Sequence, residues 1–213
     1  MLRSASLVAT MLASLAAPAT AAYAAPATPP PPDKMVIGVV GANGSGCPAG
    51  TYTVQVAPDN TAFTVTYSRY TAQVGVGAGP LDFRRNCQIA LNVHVPSGFT
   101  FAIAEADYRG YAHLEAGSLG YEAAGYYFQG QAQTTHIQHN LSSPRDGDWQ
   151  TTDLVGVASL SFLPCGEYRY LNINTELRVY AGTSDVHHTT SLLTMDSTDS
   201  SITTIYHIAW RRC

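Results

Sequence analysis

The stretch FTFAIAEADYRGYAHLE, residues 99–115, gives the clearest indication of the fold of this chain. In an extended strand successive side chains point to opposite faces, so every second residue shares a face. The even positions from Thr100 to Leu114 are small or mostly apolar, which suits a tightly packed interior. That alternation predicts an antiparallel strand with one face on the core. Because the stretch is longer than an ordinary strand, we expect a bulge or bend within it, at Gly110.

The odd positions of the same stretch form a candidate ligand face. They are Glu105, Asp107, Arg109, Tyr111 and His113. Two carboxylates ~6.6 Å apart on a strand, as Glu105 and Asp107 would be, can serve as acid and base in glycoside hydrolysis. A guanidinium at Arg109 would hold Asp107 ionised, whereas a general acid must carry a proton. We therefore interpret Asp107 and Arg109 as a self-neutralising surface pair, with a polar ligand face and a catalytic site as the alternatives.

Alternation with β-branched and aromatic residues recurs along the chain, separated by Gly, Pro, Asn and Asp turns such as Pro58-Asp59-Asn60. Helical periodicity is nearly absent after the leader. The further predicted strands cover residues 51–57, 61–70, 71–79, 87–95, 121–133, 154–162, 168–180 and 201–210. About eight to ten strands result, and we expect an all-β, antiparallel β-sandwich of jelly-roll type.

The N-terminal segment has the composition of an export signal. A single charge at Arg3 precedes a short apolar run, and small residues in A-x-A spacing follow, so residues 1–25 read as a signal peptide. Residues 26–34 are proline-rich and predict a stiff linker. A single domain over 35–213 remains. No segment has the ~20 apolar residues that a membrane span needs, so we expect a protein that is secreted and extracellular or associated with the cell wall.

Cysteine usage agrees with export. Cys47, Cys87, Cys165 and Cys213 are an even number of cysteines, which in an exported domain indicates two disulfides with three possible pairings. The sequential pairing, Cys47 with Cys87 and Cys165 with Cys213, is preferred because a bridge at the last residue holds a terminus that would otherwise fray. A zinc site is the alternative, but C-x-x-C spacing is lacking.

Charge and motifs exclude several functions. The net charge is -4 and the 11 Lys and Arg residues are scattered, which disfavours nucleic-acid binding. The chain has no G-x-S-x-G nucleophile motif. His136, His139, His187 and His188 are candidate metal ligands, but their sequence proximity does not make them converge, so we expect neither a metal nor another cofactor.

A long polar segment, residues 182–201, interrupts the strand pattern. It is rich in Ser, Thr and Asp, and connections of this length are unusual in a compact domain unless they are functional. We expect a short hairpin around SLLTM with a mobile tip.

Four motifs together resemble a known family: GSGCPAG (44–50), DFRRNCQIALNVHVPSGFTFAI (82–103), DYRGYAHLEAG (107–117) and PCGEYRYLNINTELRV (164–179). The chain is similar to the secreted domain-of-unknown-function family 4360 of bacteria and fungi from about residue 44 to the end. The resemblance implies export and a β-rich domain with disulfides, and it implies no catalytic residue.

The function that we expect is non-enzymatic. The protein would bind or act structurally at or near the cell surface, with a cell-wall or extracellular polysaccharide or a protein as partner. One alternative is a carbohydrate-active enzyme using Glu105 and Asp107. A second is a secreted inhibitor or effector that presents residues 182–201 to its partner.

Overall fold

The fold of the chain is seen in a computed structural model, which describes residues 28–132, 135–155, 160–195 and 203–213. Twelve strands are present in these ranges. They are β1 (Val36–Asn43), β2 (Tyr52–Val56), β3 (Ala62–Tyr67), β4 (Thr71–Gly75), β5 (Arg84–His94), β6 (Phe99–Leu114), β7 (Leu119–Phe128), β8 (Thr135–Ser142), β9 (Arg145–Leu154), β10 (Leu171–Tyr180), β11 (Thr190–Thr194) and β12 (Thr204–Arg212).

The strands form two antiparallel sheets that pack face to face. The five-stranded sheet has the order β1-β5-β10-β7-β8. The seven-stranded sheet has the order β2-β3-β12-β6-β11-β4, and β9 pairs with the free edge of β6. The all-β, antiparallel sandwich predicted from the sequence is therefore confirmed, with twelve strands where eight to ten were expected.

An aromatic cluster fills the space between the sheets. Phe63 stacks on Tyr206 with ring centroids 4.9 Å apart, and Tyr108 and Tyr126 meet Tyr206 edge-on. All four side chains are almost wholly buried. Aromatic rings bring a large apolar surface and favour these offset and edge-to-face arrangements, so the cluster fixes how the two sheets are held together.

Strand β6 shows the predicted alternation from Ala106 onward, where the even positions are buried and the odd ones half-buried. The predicted bulge at Gly110 is wrong. The register instead shifts opposite His207 and Ile208, which leaves Ala104 as the extra residue. N-terminal to the bulge, the odd positions of β6 face the core instead of the outside, so Phe101 is buried. Gly110 has another role, since a Cβ there would lie 1.8 Å from a backbone oxygen of β11.

Both disulfides have the predicted pairing. Cys47 bonds to Cys87 and Cys165 bonds to Cys213. The first is buried beneath β5, whereas the second is exposed and fastens the C-terminal residue. Residues 44–46, which follow β1, form a turn just before Cys47.

The proline-rich segment is held against the domain as far as it is described. The buried side-chain amide of Asn60 donates to the carbonyls of Pro31 and Asp33, and its oxygen accepts from the amide of Met35. Trp210 donates to the backbone carbonyl of Asn60. These hydrogen bonds attach the backbone of Pro31, Asp33 and Met35 to the sandwich through Asn60.

Three further sequence expectations need correction or fall outside the described residues. The described part of the polar segment, residues 182–195, holds one strand, β11, which pairs with β4 and β6 and not with another strand of the segment as the expected hairpin would. The predicted strand 154–162 coincides with β9 only at Leu154. Residues 1–25, 156–159 and the predicted tip at 196–201 lie outside the description. The described residues contain no helix long and apolar enough to cross a membrane.

Candidate functional site

The predicted ligand face lies on the outer side of the seven-stranded sheet. Glu105, Asp107, Arg109, Tyr111 and His113 share one face of β6 and are all half-buried. Cross-strand neighbours from β9 and β12 flank this polar row, which we call the β6 row. The sequence alternation correctly predicted that these five side chains share one face of a strand. Their partners come from distant parts of the chain.

Asp107 has partners on both neighbouring strands. The hydroxyl of Thr152 on β9 donates to its Oδ1 at 2.6 Å, and Nε2 of His207 on β12 lies 3.2 Å from its Oδ2. Partial burial raises the pKa of Asp107, but the hydrogen bonds from Thr152 and His207 and the nearby charges of His207 and Arg109 outweigh it and hold this pKa below its ordinary value. Asp107 is therefore a carboxylate at neutral pH, and not a general acid.

The predicted ion pair between Asp107 and Arg109 is wrong. Among the described residues these two side chains form no ion pair, and Nε of Arg109 is buried without a hydrogen-bond partner. Residues two apart on a strand are ~6.6 Å apart along the chain, whereas cross-strand neighbours have Cβ atoms about 5 Å apart. Asp107 is consequently satisfied across the sheet, by Thr152 and His207.

At the C-terminal end of the β6 row, Tyr111 and His113 also contact acidic side chains of the protein. The Tyr111 hydroxyl donates to Asp146, and this bond raises the pKa of Tyr111 and lowers that of Asp146. His113 lies 3.3 Å from Glu115 and 3.6 Å from Asp146. Most of the polar groups in the row thus find partners in the protein itself.

The outer side of the five-stranded sheet carries a different surface. A cleft of about 320 Å³ crosses β5, β10, β7 and β8 there, which we call the β7 cleft. Its floor lies at Ala123 and Gly125 of β7, where the absence of larger side chains leaves a depression. Polar side chains surround the floor: Asn86, Gln88, Asn174, Glu176, Arg178 and His136.

Register explains why these side chains converge. Gly125 lies opposite Asn174 on one side and His136 on the other, and Asn174 lies opposite Gln88 on β5. The next row across the sheet joins Asn86, Glu176 and Ala123. Two polar rows thus run across the sheet, and both pass over the small residues of β7.

Two guanidinium groups share one carboxylate in the β7 cleft, which leaves one positive charge there. Glu176 accepts hydrogen bonds from both Arg84 and Arg178. Hydrogen bonds to Glu176 and Tyr180 raise the pKa of Arg178, which also lies over the ring of Tyr121 at 5.4 Å. Burial and the charge of Glu176 raise the pKa of Tyr121, so this phenol stays neutral.

The amide groups of the cleft remain available. Within the described part of the chain, the side-chain amides of Asn86 and Asn174 make no hydrogen bond to protein, and that of Gln88 donates only to the Tyr127 hydroxyl at 3.3 Å. An amide offers donors and an acceptor together. The β7 cleft therefore presents donors and acceptors that have no protein partner around a small-residue floor.

The four candidate histidine ligands do not meet. His136 and His139 lie on opposite faces of β8, as the spacing predicts for a strand. His136 lines the β7 cleft, and Nε2 of His139 lies 2.7 Å from Asp153 in the interior. His187 and His188 sit in an exposed turn, where Asp185 binds His188. Among the described residues neither group able to hold a metal contains His136, His187 or His188.

A second polar cluster lies inside the sandwich. Glu122 of β7 and Asp153 of β9 are both wholly buried beside His139. Sequence reasoning missed both acids, although a signal was available. Glu122 shares strand parity with the apolar Tyr126 and Phe128, and Asp153 with Trp149, so each acid stands on a core-facing side.

Fold and surface together define a disulfide-bonded, all-β sandwich with polar outer sheet faces. The chain belongs to the family described as domain of unknown function (DUF4360), whose model matches residues 33–213. An "Uncharacterized secreted protein" of Arthroderma benhamiae is 38% identical over 184 residues, which cover 86% of this chain and 74% of that one. The protein is thus a secreted member of this family.

Two solved structures share a β-rich arrangement at low similarity. One is the enzymatically active domain of bacteriophage CBA120 tailspike protein 4, at 12% identity and a TM-score of 0.26, covering 81% of this chain and 19% of that one. The other is a family 11 carbohydrate-binding module from Clostridium thermocellum in complex with a β-1,3-1,4-mixed-linked tetrasaccharide, at 8% identity and a TM-score of 0.23, covering 81% and 86%. TM-scores this low bear no argument about function.

Proposed function

We propose that this secreted protein binds an extracellular or cell-wall polysaccharide in the β7 cleft, without catalysis. The observation that carries the proposal is the pair of unsatisfied amides, Asn86 and Asn174, beside a floor of Ala123 and Gly125. Sugar hydroxyls both donate and accept hydrogen bonds, and side-chain amides match them on both counts.

The charge in the cleft admits a neutral or an acidic polysaccharide. Arg84 and Arg178 share the single carboxylate of Glu176, so one positive charge remains, and each guanidinium keeps N–H donors beyond those on Glu176. A hydrophobic ligand normally binds in a site with a largely apolar lining, and the apolar floor of this cleft is too small to provide one.

Size also agrees with a short segment of a polysaccharide. At ~3.3 Å per residue, the β5 side chains from Arg84 to Gln88 extend over about 13 Å. A cleft of about 320 Å³ lies at the lower end of the range for small-ligand sites. Its open ends along the sheet would let a longer chain continue beyond the protein.

The two alternative functions receive less support. For a glycosidase, Asp107 would be an ionised group hydrogen-bonded to Thr152 and His207, and none of the four clefts found on the described surface is lined by Glu105 or Asp107. For an inhibitor or effector, residues 190–194 of the expected presenting segment are paired into β11.

The experiment is a binding screen of the purified protein on immobilised cell-wall and extracellular polysaccharides, followed by calorimetry on soluble fragments of the best ligand. Asn174→Ala and Asn86→Ala should each weaken binding about tenfold or more, because each removes a hydrogen bond in a desolvated contact. Gln150→Ala is the matched control, since Gln150 lies opposite Arg109 on the other sheet. The proposal would be overturned if Gln150→Ala lost binding while Asn174→Ala and Asn86→Ala bound as tightly as wild type, or if the protein bound no polysaccharide.

A further inference from the structure

The interior cluster of Glu122, His139 and Asp153 has a donor set that the proposed binding function does not use. Register places Glu122 directly opposite His139, so both side chains point into the sandwich from the five-stranded sheet. Asp153 reaches them from β9 of the other sheet, because the chain passes from β8 to β9 through only Ser143 and Pro144. We propose that these three side chains form a site for one divalent transition-metal ion, of the zinc or manganese class.

Charge balance is the first argument. Both carboxylates are wholly buried, and within the described ranges their only ion pair is that of His139 with Asp153, at 2.7 Å. The other groups that bind them are neutral hydroxyls, Tyr126 on Asp153 and Thr151 on Glu122. Without an ion, burial beside Asp153 favours the neutral acid form of Glu122. With one divalent cation bound, both carboxylates can ionise, and the cation supplies the compensating charge in full.

An unsatisfied oxygen is the second argument, and it is independent of the first. Oε1 of Glu122 is buried without a hydrogen-bond partner, while its Oε2 accepts from Thr151 at 3.2 Å. Buried carboxylate oxygens nearly always have a partner. The free oxygen belongs to the same group whose ligand atoms all lie within 4.8 Å of those of His139 and Asp153.

The donor set selects the class of ion. Bonds of ~2.0–2.2 Å to nitrogen and oxygen put the ligand atoms of a tetrahedral zinc site about 3.3 Å apart. Since the ligand atoms lie within 4.8 Å of one another, shifts of up to about 1.5 Å bring them to that separation. One imidazole and two carboxylates suit zinc or manganese, whereas calcium and magnesium prefer oxygen alone. On binding, the hydrogen shared by Nε2 of His139 and Asp153 and the acid proton of Glu122 pass to water, and the ion takes their place.

Access and hydroxyl groups complete the site. The side chain of His139 is 28% exposed at the edge of the sandwich, so an ion can enter there. The Tyr126 hydroxyl donates to Asp153 at 2.8 Å and also contacts the Tyr108 hydroxyl. Such outer hydrogen bonds orient carboxylate ligands in metal sites.

A second set, Glu105, Asp107 and His207, also brings three ligand atoms within 4.8 Å on the outer sheet face. All three are half-buried, and Asp107 is already satisfied by Thr152 and His207. This set lacks a buried unpartnered oxygen, so it serves as the rival in the experiment.

The experiment measures metal in the secreted protein by mass spectrometry and then titrates chelator-treated protein with Zn²⁺, Mn²⁺ and Ca²⁺ by calorimetry and thermal melting. We expect one Zn²⁺ or Mn²⁺ per chain and a higher melting temperature with the ion. Glu122→Gln, Asp153→Asn and His139→Gln should each weaken binding at least about tenfold. His136→Gln, on the opposite face of the same strand, and His207→Gln, in the rival set, should leave it unchanged.

If a variant does not fold, X-ray absorption spectroscopy of the zinc-loaded wild-type protein tests the proposal by identifying the atoms that bind the ion. One imidazole with oxygen ligands and no sulfur is the expected coordination. The proposal is overturned if no ion binds, if only Ca²⁺ binds, or if His136→Gln or His207→Gln abolishes binding while Glu122→Gln does not.

Discussion

The two outer sheet faces of this sandwich are both polar, yet they differ in how their polar groups are satisfied. In the β6 row, Asp107 is held by Thr152 and His207, and Tyr111 by Asp146. In the β7 cleft, Asn86 and Asn174 surround a floor of Ala123 without a protein partner for their amides. Asp107 and Tyr111 gain little from a ligand because the protein already satisfies them, whereas the amides around the depression can gain hydrogen bonds.

Polarity alone therefore does not identify a binding face. What separates these two is the size of the central side chains and the number of donors left unused. The β6 row has Arg109 and Tyr111 at its centre, and the cleft has Ala123 and Gly125.

The two disulfides should affect stability alike and binding differently. Each closes a loop of similar length, with sequence separations of 40 and 48, so removing either pair should lower the free energy of unfolding by about 4 kcal/mol. Cys87 lies under the β7 cleft, so Cys47→Ala/Cys87→Ala should also weaken polysaccharide binding. Cys165→Ala/Cys213→Ala is the control that should not. Urea denaturation and calorimetry measure both effects, and equal losses of binding would contradict the comparison.

Filling the cleft floor should abolish most binding with little cost in stability. Ala123→Leu adds a larger side chain at the base of the depression, where the ligand would lie. The affinity should fall on the order of a hundredfold, which corresponds to ~2.7 kcal/mol. Thr64→Leu, on the outer face of the other sheet, is the control. If Ala123→Leu binds as tightly as wild type, the ligand lies elsewhere.

The buried acid should make stability fall as the pH rises. Burial and the charge of Asp153 raise the pKa of Glu122 well above its ordinary value of 4.5. In chelator-treated protein its contribution is therefore intact below about pH 4.5 and is lost as the pH rises through the folded-state pKa. Glu122→Gln should remove this loss and be more stable than wild type by ~2 kcal/mol at pH 8, with little difference at pH 4.

Urea denaturation at intervals between pH 4 and pH 8 measures that difference. Glu105→Gln is the control, since Glu105 is half-buried on the outer face and its removal should leave the pH dependence as it is. The interpretation of Glu122 fails if Glu122→Gln and wild type lose stability in parallel.

The β6 row should give the smallest effect. The lowered pKa of Asp107 means that its contribution is present above the unfolded-state value of 3.8 and is lost as the pH falls through the folded-state pKa. Because the group is partly exposed, Asp107→Asn should cost less than about 1 kcal/mol at pH 7 and nothing at pH 2. Thermal melts measure this, with Thr152→Val testing the hydroxyl that binds it. A larger loss, or one that persists at pH 2, would assign Asp107 another role.

The sequence predicted the elements whose signal is local. Alternation in residues 106–114 located the inward and outward faces of β6, and the cysteine spacing led to the observed disulfides. The bulge at Ala104 was misplaced because a bulge depends on the pairing with β12, which the sequence of β6 does not contain.

The missing strands and sites depend on long-range pairing. β8 and β9 are edge strands rich in polar residues, so THIQHNLS and RDGDWQTTDL lack an apolar alternation that would mark them. The β7 cleft needs the register of four strands, and the partners of Asp107 come from β9 and β12. Only Glu122 and Asp153 carried a local signal, as acids on a core-facing side of their strands.

The most direct test of the binding face is to map the contact on the protein by backbone amide NMR during titration with the best polysaccharide fragment. Our account predicts shifts that cluster at residues 84–88, 121–125 and 172–178, on the strands of the β7 cleft. Shifts that cluster instead at residues 105–113 and 146–154, on β6 and β9, would contradict it.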